Sequence, residues 1–202
     1  MNGATAELAA AAARLVVEEG MEYAAAKRKA ARELAPGRGS SRVELPSNEA
    51  VENEVRAHLA LFHADTQPGE LAALRRVALR WMERLAQFRP HLGGAVWRGT
   101  ATRLSTIQLD LYADDPKSPE IALLNLGVDY GLDEGGHDRR GEPVAVLVME
   151  ERHVELGVFV AIRLTIHDHD DLRGALKPDD GGRSWRGDAR ALERLLDPMG
   201  ES

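Results

Sequence analysis

The sequence has no cysteine and few aromatic residues, and both absences limit its chemistry. Without cysteine, this chain of 202 residues has no disulfide, thiolate zinc site, iron–sulfur cluster or cysteine nucleophile. Aromatic residues make up 4%, so the core has to be built mainly from Leu, Val, Ile and Ala. No apolar run approaches the roughly 20 residues that span a bilayer. The N-terminus shows no signal-peptide pattern, so we expect a cytoplasmic protein with no membrane partner.

Several common catalytic motifs are also missing. The chain has no Gly-x-x-x-x-Gly-Lys-Ser/Thr loop and no His-Glu-x-x-His sequence, which excludes P-loop nucleotide hydrolysis and the commonest zinc protease site. A Gly-x-Gly-x-x-Gly fingerprint and a Gly-x-Ser-x-Gly elbow are absent as well. The net charge of −7 argues against broad binding to nucleic acid.

The chain has two parts with different hydrophobic periods. Up to Pro90 the apolar residues follow a period of 3.6, and the clearest helix is predicted from Glu70 to Phe88. From Leu92 onward they alternate, and residues 105–112 and 156–166 are predicted strands. We therefore predict an α+β fold in which a helical N-terminal region packs on a mixed β-sheet.

A segment rich in Pro, Gly and Ser, from Pro36 to Pro46, interrupts the helical part. It predicts a division of the chain at about that point. Residues 1–45 are expected to form an N-terminal helical extension and linker. Residues 46–202 are expected to form further helices and the α+β domain.

The most informative motif follows the long helix. Gly93-Gly94-Ala95-Val96-Trp97 is predicted to be a short strand that enters a tight turn at Arg98-Gly99, and Ser105–Leu111 is the next strand. This arrangement resembles the nucleotidyltransferase superfamily, which has the polymerase-β-like fold. The chain as a whole also resembles a bacterial family that we associate with nucleotidyltransferase-like folds.

The resemblance implies a mixed sheet with a site for a nucleotide or another small anionic ligand. In that family a Gly-rich turn lets backbone N–H groups approach triphosphate oxygens. Two Asp residues, two apart on the next strand, bind Mg²⁺, and a third carboxylate completes a two-metal site. The implied ligand-binding residues are Gly93, Gly94, Arg98, Gly99, Thr100 and Lys117.

The metal motif departs from the family pattern. When Ser105 is aligned with the family Ser, Thr106 and Gln108 stand where the two Asp residues belong, and neither is an anionic ligand. Asp110 lies two residues further along on the same strand face. The carboxylates expected to hold Mg²⁺ and act in catalysis are therefore Asp110, Asp114 and Asp115, with Asp168 or Asp170 as the further metal ligand.

Two functions are consistent with this pattern. One is a nucleotidyltransferase-like protein that binds a nucleotide or another anion, with Mg²⁺-dependent nucleotidyl transfer at the carboxylates. The alternative is a protein that keeps the fold but has lost the metal ligands, and acts as a binding or regulatory partner of another protein.

Other polar clusters each have two interpretations. His167 and His169 would share a strand face and form a transition-metal pair, or the segment is a strand end followed by an Asp N-cap at Asp170 or Asp171. The basic run Lys27-Arg28-Lys29 contacts phosphates or forms a solvated helix face. The loop Gly181–Gly187 closes on an anion or is an exposed connection.

Overall fold

The structure, a computed structural model, describes residues 3–34, 44–133, 144–172 and 184–197. Helices fill the first part and strands follow, so the fold is α+β as predicted. The helices are α1 (Gly3–Glu19), α2 (Tyr23–Leu34), α3 (Asn48–Phe62), α4 (Gln67–Arg84), α5 (Gly94–Arg98), α6 (Lys117–Asn125) and α7 (Ala189–Leu196). The strands are β1 (His91–Gly93), β2 (Ile107–Tyr112), β3 (Gly131–Leu132), β4 (Ala145–His153) and β5 (Val158–His167).

The first of two compact units comprises Met1–Glu70 and Thr100–Ser105. Helices α1, α2 and α3 share one core, so residues on both sides of position 45 pack together. Small alanine side chains allow the helix backbones to approach closely. The buried core residues include Ala9, Ala12, Ala26, Ala30, Val51 and Val55.

Local sequence signals set the ends of these helices. Gly20 ends α1 in the left-handed region with φ +67°, where a side chain would also overlap the backbone of Leu104. The hydroxyl of Ser47 accepts a hydrogen bond from the Ala50 N–H at 3.1 Å and caps α3. Both are residue types that favour the helix ends at which they lie.

The second compact unit comprises Leu71–Gly99 and Thr106–Ser202. Its described strands form one mixed sheet in the order β1-β2-β5-β4-β3. Strand β2 pairs antiparallel with β1 and parallel with β5, and the remaining neighbours are antiparallel. The parallel register sets Asp110 beside Thr165, and Tyr112 beside His167.

The two faces of this sheet differ in polarity because successive side chains point to opposite sides. The apolar face is almost fully buried, and its members include Ile107, Leu109, Leu111, Leu147, Ile162, Leu164 and Ile166. On the other face the central strands carry half-buried polar side chains, which are Gln108, Asp110, Arg163, Thr165 and His167. The polar face is where a functional site can form.

The prediction of a strand over Gly93–Trp97 is wrong. Strand β1 ends at Gly93, and Gly94, with φ +65°, begins the short helix α5. Gly99, with φ +81°, ends that helix. The β-branched and aromatic residues Val96 and Trp97 favour a strand locally, but a positive φ at Gly94 turns the chain out of the sheet.

The boundaries of α4 also differ from the prediction. The helix begins at Gln67 and ends at Arg84, whereas the sequence predicts Glu70 to Phe88. Pro68 and Gly69 lie in its first turn, where a missing N–H costs nothing because those groups have no partner within the helix.

The segment Ser184–Gly187, which we call the strap, pairs with the edge of β1. Leu92 and Gly187 exchange two backbone hydrogen bonds of 2.8 and 3.0 Å. The indole Nε1 of Trp97 donates to the carbonyl oxygen of Ser184 at 2.8 Å. Asp188 then caps α7 by accepting from the Ala191 N–H at 2.8 Å. The strap therefore has a fixed position beside the polar face.

Gly187→Ala tests the packing of the strap. A Cβ at this position would overlap the Trp97 ring, so we expect the free energy of unfolding to fall by about 1–3 kcal/mol. Urea unfolding measures the change. Gly69→Ala is the control, because a Cβ there meets no atom within 4 Å, and a loss at Gly187 no larger than at Gly69 would contradict the packing.

Candidate functional site

The carboxylate of Asp110 lies at the centre of the polar face. Because β2 and β5 are parallel, Asp110 and His167 come to neighbouring rows of the same face. The Nε2 atom of His167 lies 2.8 Å from Oδ1 of Asp110. Asp110 thus contacts the imidazole through one of its oxygens, and this contact joins the carboxyl ends of two adjacent strands.

Arg186 of the strap binds the second oxygen of the same carboxylate. Its Nη1 lies 2.8 Å from Oδ2 of Asp110 and donates to the hydroxyl of Tyr112 at 2.9 Å. The side chains of Asp110, His167 and Arg186 are only 18, 11 and 13% exposed. We call these three residues the Asp110 cluster. In this cluster, His167 and Arg186 each bind one oxygen of the half-buried Asp110 carboxylate.

Two aromatic rings pack against the Asp110 cluster. The Tyr112 ring stacks on His167 with centroids 5.5 Å apart, and the His91 ring meets the edge of Tyr112 at the same distance. His91 is buried, and its Nδ1 lies 2.8 Å from the carbonyl oxygen of Arg89. This distance fits the neutral tautomer in which Nδ1–H donates to that carbonyl.

Burial lowers the pKa of His91 below its usual value. The hydrogen bond to the Arg89 carbonyl and the charges of Asp188 and Asp110 act in the opposite direction, while Arg186 adds to the lowering. The net effect is a histidine that resists protonation on the edge strand of the site.

The glycine-rich turn lies against the same face. A Cβ at Gly94 would come within 2.9 Å of the amide group of Gln108, so Gly94 is required both by its φ and by this close approach. Gly93 ends β1 opposite Gln108. The structure therefore brings Gly93 and Gly94 beside the strand that carries Asp110.

Other predicted ligand-binding residues make contacts of their own. The Arg98 guanidinium lies 5.8 Å from the centre of the Trp185 ring, and the N–H of Gly99 bonds to Ala95. Lys117 is exposed and pairs with Glu120 at 2.9 Å, an interaction that raises the pKa of Lys117. Thr100 belongs to the first compact unit, where its hydroxyl is buried without a hydrogen-bond partner among the described residues.

The remaining predicted carboxylates stabilise helix ends or face solvent. Asp115 accepts from the Lys117 N–H at 3.0 Å and from the Ser118 hydroxyl at 3.2 Å, so its carboxylate is bound to the first turn of α6. Asp114 is exposed. Asp168, not Asp170 or Asp171 as predicted, is the N-cap after β5, and its Oδ1 accepts from the Asp170 N–H at 2.9 Å.

These donors do not fit a magnesium site. Magnesium requires oxygen ligands in a near-octahedral arrangement, with one or two carboxylates among them, and both oxygens of Asp110 are bound by His167 and Arg186. Within the described ranges, no group of three His, Asp or Glu side chains is arranged to hold a metal ion. His167 and His169 do not belong to such a group either.

Sequence reasoning missed Tyr112 and His91 as members of the site, and it noted Arg186 only as part of a loop. The basic run of α2 is explained by its contacts. Lys27 binds Asn48 at 2.8 Å and Lys29 pairs with Glu19, so much of this run serves the packing of α2. The first residues of the loop Gly181–Gly187, up to position 183, lie outside the described residues.

The chain was compared with known proteins in three ways. No family model, no curated protein and no solved structure matches it. In the part of the chain that the structure describes, none of the helices combines the length and the apolar character needed to cross a membrane.

His91→Gln tests the effect of burial on this histidine. Below pH about 6.5 the unfolded chain takes up a proton at position 91 that the folded protein resists. Wild-type stability should therefore fall as pH drops from about 7.5 to about 5, and the variant should lose less. Urea unfolding across this range measures the difference, with His169→Gln as control. An unchanged pH dependence in His91→Gln would refute this explanation.

Proposed function

We propose that this chain is a nucleotidyltransferase-like protein that binds a nucleotide or another phosphate-bearing anion without catalysing metal-dependent nucleotidyl transfer. The observation that carries the proposal is the occupation of both Asp110 oxygens by His167 and Arg186. Each oxygen of this carboxylate already accepts from a protein donor, and a guanidinium already offsets its negative charge. Its neighbour two residues earlier is Gln108, which is neutral.

The strand arrangement supports the nucleotidyltransferase-like part of the proposal. A glycine turn follows β1, which is antiparallel to β2, and β2 is parallel to the later strand β5. The turn lies against the side chain of Gln108, which shares the polar face of β2 with Asp110. A mixed sheet with a glycine turn before the strand that carries the carboxylate is what the resemblance implies.

The charge of the polar face supports an anionic ligand. Arg186 uses only Nη1 for its contacts with Asp110 and Tyr112, and its Nε and Nη2 atoms have no partner in the described parts of the chain. A guanidinium presents its N–H groups as a planar fork that suits two phosphate oxygens. Arg186 is therefore the residue to which we assign the phosphate contact.

We expect nucleoside triphosphates to stabilise the protein equally with Mg²⁺ and with EDTA. A ligand at 100 times its dissociation constant adds about 2.7 kcal/mol to the stability of the native state, which thermal shift detects. ATP, GTP, CTP and UTP are each tested, and pyrophosphate release is followed in parallel. A shift that requires Mg²⁺, or release of pyrophosphate, would overturn the non-catalytic assignment.

Two substitutions sharpen this test. Arg186→Met should abolish the nucleotide-induced shift, while Arg190→Met, an exposed arginine on α7, should retain it. Asp110→Asn should bind the anion at least as well as wild type, because it removes a negative charge beside the ligand. A metal-dependent site predicts the opposite, since Asp110→Asn would then eliminate binding.

A further inference from the structure

Strands β4 and β5 extend beyond the rest of the sheet as a two-stranded ribbon. The pairing of β2 with β5 begins at Ile107 and Ile162, and β3 pairs with β4 only at Leu147 and Val148. Within the sheet, Glu150–His153 and Val158–Ala161 therefore pair only with each other. The outer edge of β4 is left with backbone groups that no described strand pairs.

One face of the ribbon packs on α4 and the other is exposed. The carboxylate of Glu151 binds Arg80 at 2.6 Å and the indole Nε1 of Trp81 at 2.8 Å, which holds the ribbon against the helix. On the opposite face, Phe159 is 65% exposed, and Val154 at the tip is 83% exposed. Exposed apolar side chains beside an open strand edge are a common feature of strand-pairing surfaces.

The charges along the outer edge of β4 are complementary to those of a second, antiparallel copy of the same edge. Glu150 and Arg152 are exposed on the same face, and neither has a side-chain partner among the residues described. They lie one residue on either side of Glu151, whose charge Arg80 already offsets. An antiparallel copy of this edge, centred on Glu151, would place Glu150 opposite Arg152 twice.

Symmetry selects this register. A two-fold axis perpendicular to the sheet keeps each face of one copy on the same side as that face of the other copy. In antiparallel pairing, such an axis places one residue opposite the same residue of the second copy. An axis at Glu150 or at Arg152 would place that residue opposite its own copy, so two like charges would meet. An axis at Glu151 does the same for Glu151, but Arg80 offsets the charge of Glu151. Only the axis at Glu151 pairs opposite charges on the exposed face.

We propose that two copies of this chain pair through the outer edge of β4, with Glu150 of each copy opposite Arg152 of the other. The pairing continues the sheet across the two-fold axis and satisfies the open backbone groups of Met149–His153. It is independent of the anion site, because it uses the opposite end of β5.

Sedimentation velocity from about 1 to about 200 µM tests the pairing, because a dimer forms as concentration rises. Wild type should shift from monomer to dimer in this range. Glu150→Arg and Arg152→Glu each create two like-charge contacts across the axis, so each should weaken the dimer by about tenfold or more. Glu193→Arg and Arg194→Glu, at exposed positions on α7, are the matched controls.

Mixing Glu150→Arg with Arg152→Glu gives the decisive result. In a mixed pair, the two introduced side chains would face each other with opposite charges, and so would the two native ones that remain. The variants should therefore bind each other while each alone stays monomeric. Circular dichroism checks that both fold.

Three outcomes would overturn the proposal. They are a wild type that stays monomeric throughout the range, single variants that dimerise like the controls, and a mixture that stays monomeric. In each case the charges of Glu150 and Arg152 would serve only to keep the edge of β4 solvated.

Discussion

The polar face of the second compact unit depends on the negative charge of Asp110. This carboxylate is the common partner of a histidine on β5 and an arginine on the strap, and all three side chains are largely withdrawn from water. Burying a guanidinium costs several kcal/mol unless an anion pairs with it, and the Asp110 carboxylate is the anion that pairs with Arg186. The charge of Asp110 thus links the strap to β2 and β5, and backbone hydrogen bonds between Leu92 and Gly187 link it to β1.

Under the proposed function, the same charge explains how a fold suited to metal chemistry can lose it without losing structure. A half-buried carboxylate needs compensation, and either a metal ion or protein cations can supply it. Here the guanidinium of Arg186 supplies the opposite charge and the imidazole of His167 a hydrogen bond, and Gln108 adds no second negative charge that would require more. The substitution of protein donors for a metal keeps the strand geometry, because the parallel pairing of β2 and β5 is made by the backbone and the apolar face.

Local patterns in the sequence were enough to predict much of the fold. The alternation of Ile107, Leu109 and Leu111 defines a half-buried strand, and Ser47 and Asp188 are capping residues whose hydrogen bonds depend only on neighbours in sequence. The contact between Asp110 and Arg186 joins residues far apart in the chain, and no periodicity encodes it. Helix α5 was not predicted for a related reason, because the close approach of Gly94 to Gln108 on another strand is also a contact that local sequence does not encode.

The charged residues at the two ends of β5 differ in whether they have partners within the chain. At the His167 end, each charge of the Asp110 cluster finds its partner within the same chain, so this end needs no second molecule to be stable. At the Val158 end, Glu150 and Arg152 extend from the neighbouring strand without such partners in the described residues, beside exposed apolar groups. Exposed charges of opposite sign on either side of one residue favour a single antiparallel register with a second copy. Charges of one sign would only repel a second edge. On both proposals, the sheet keeps ligand chemistry and self-recognition at separate ends, and a change at one need not disturb the other.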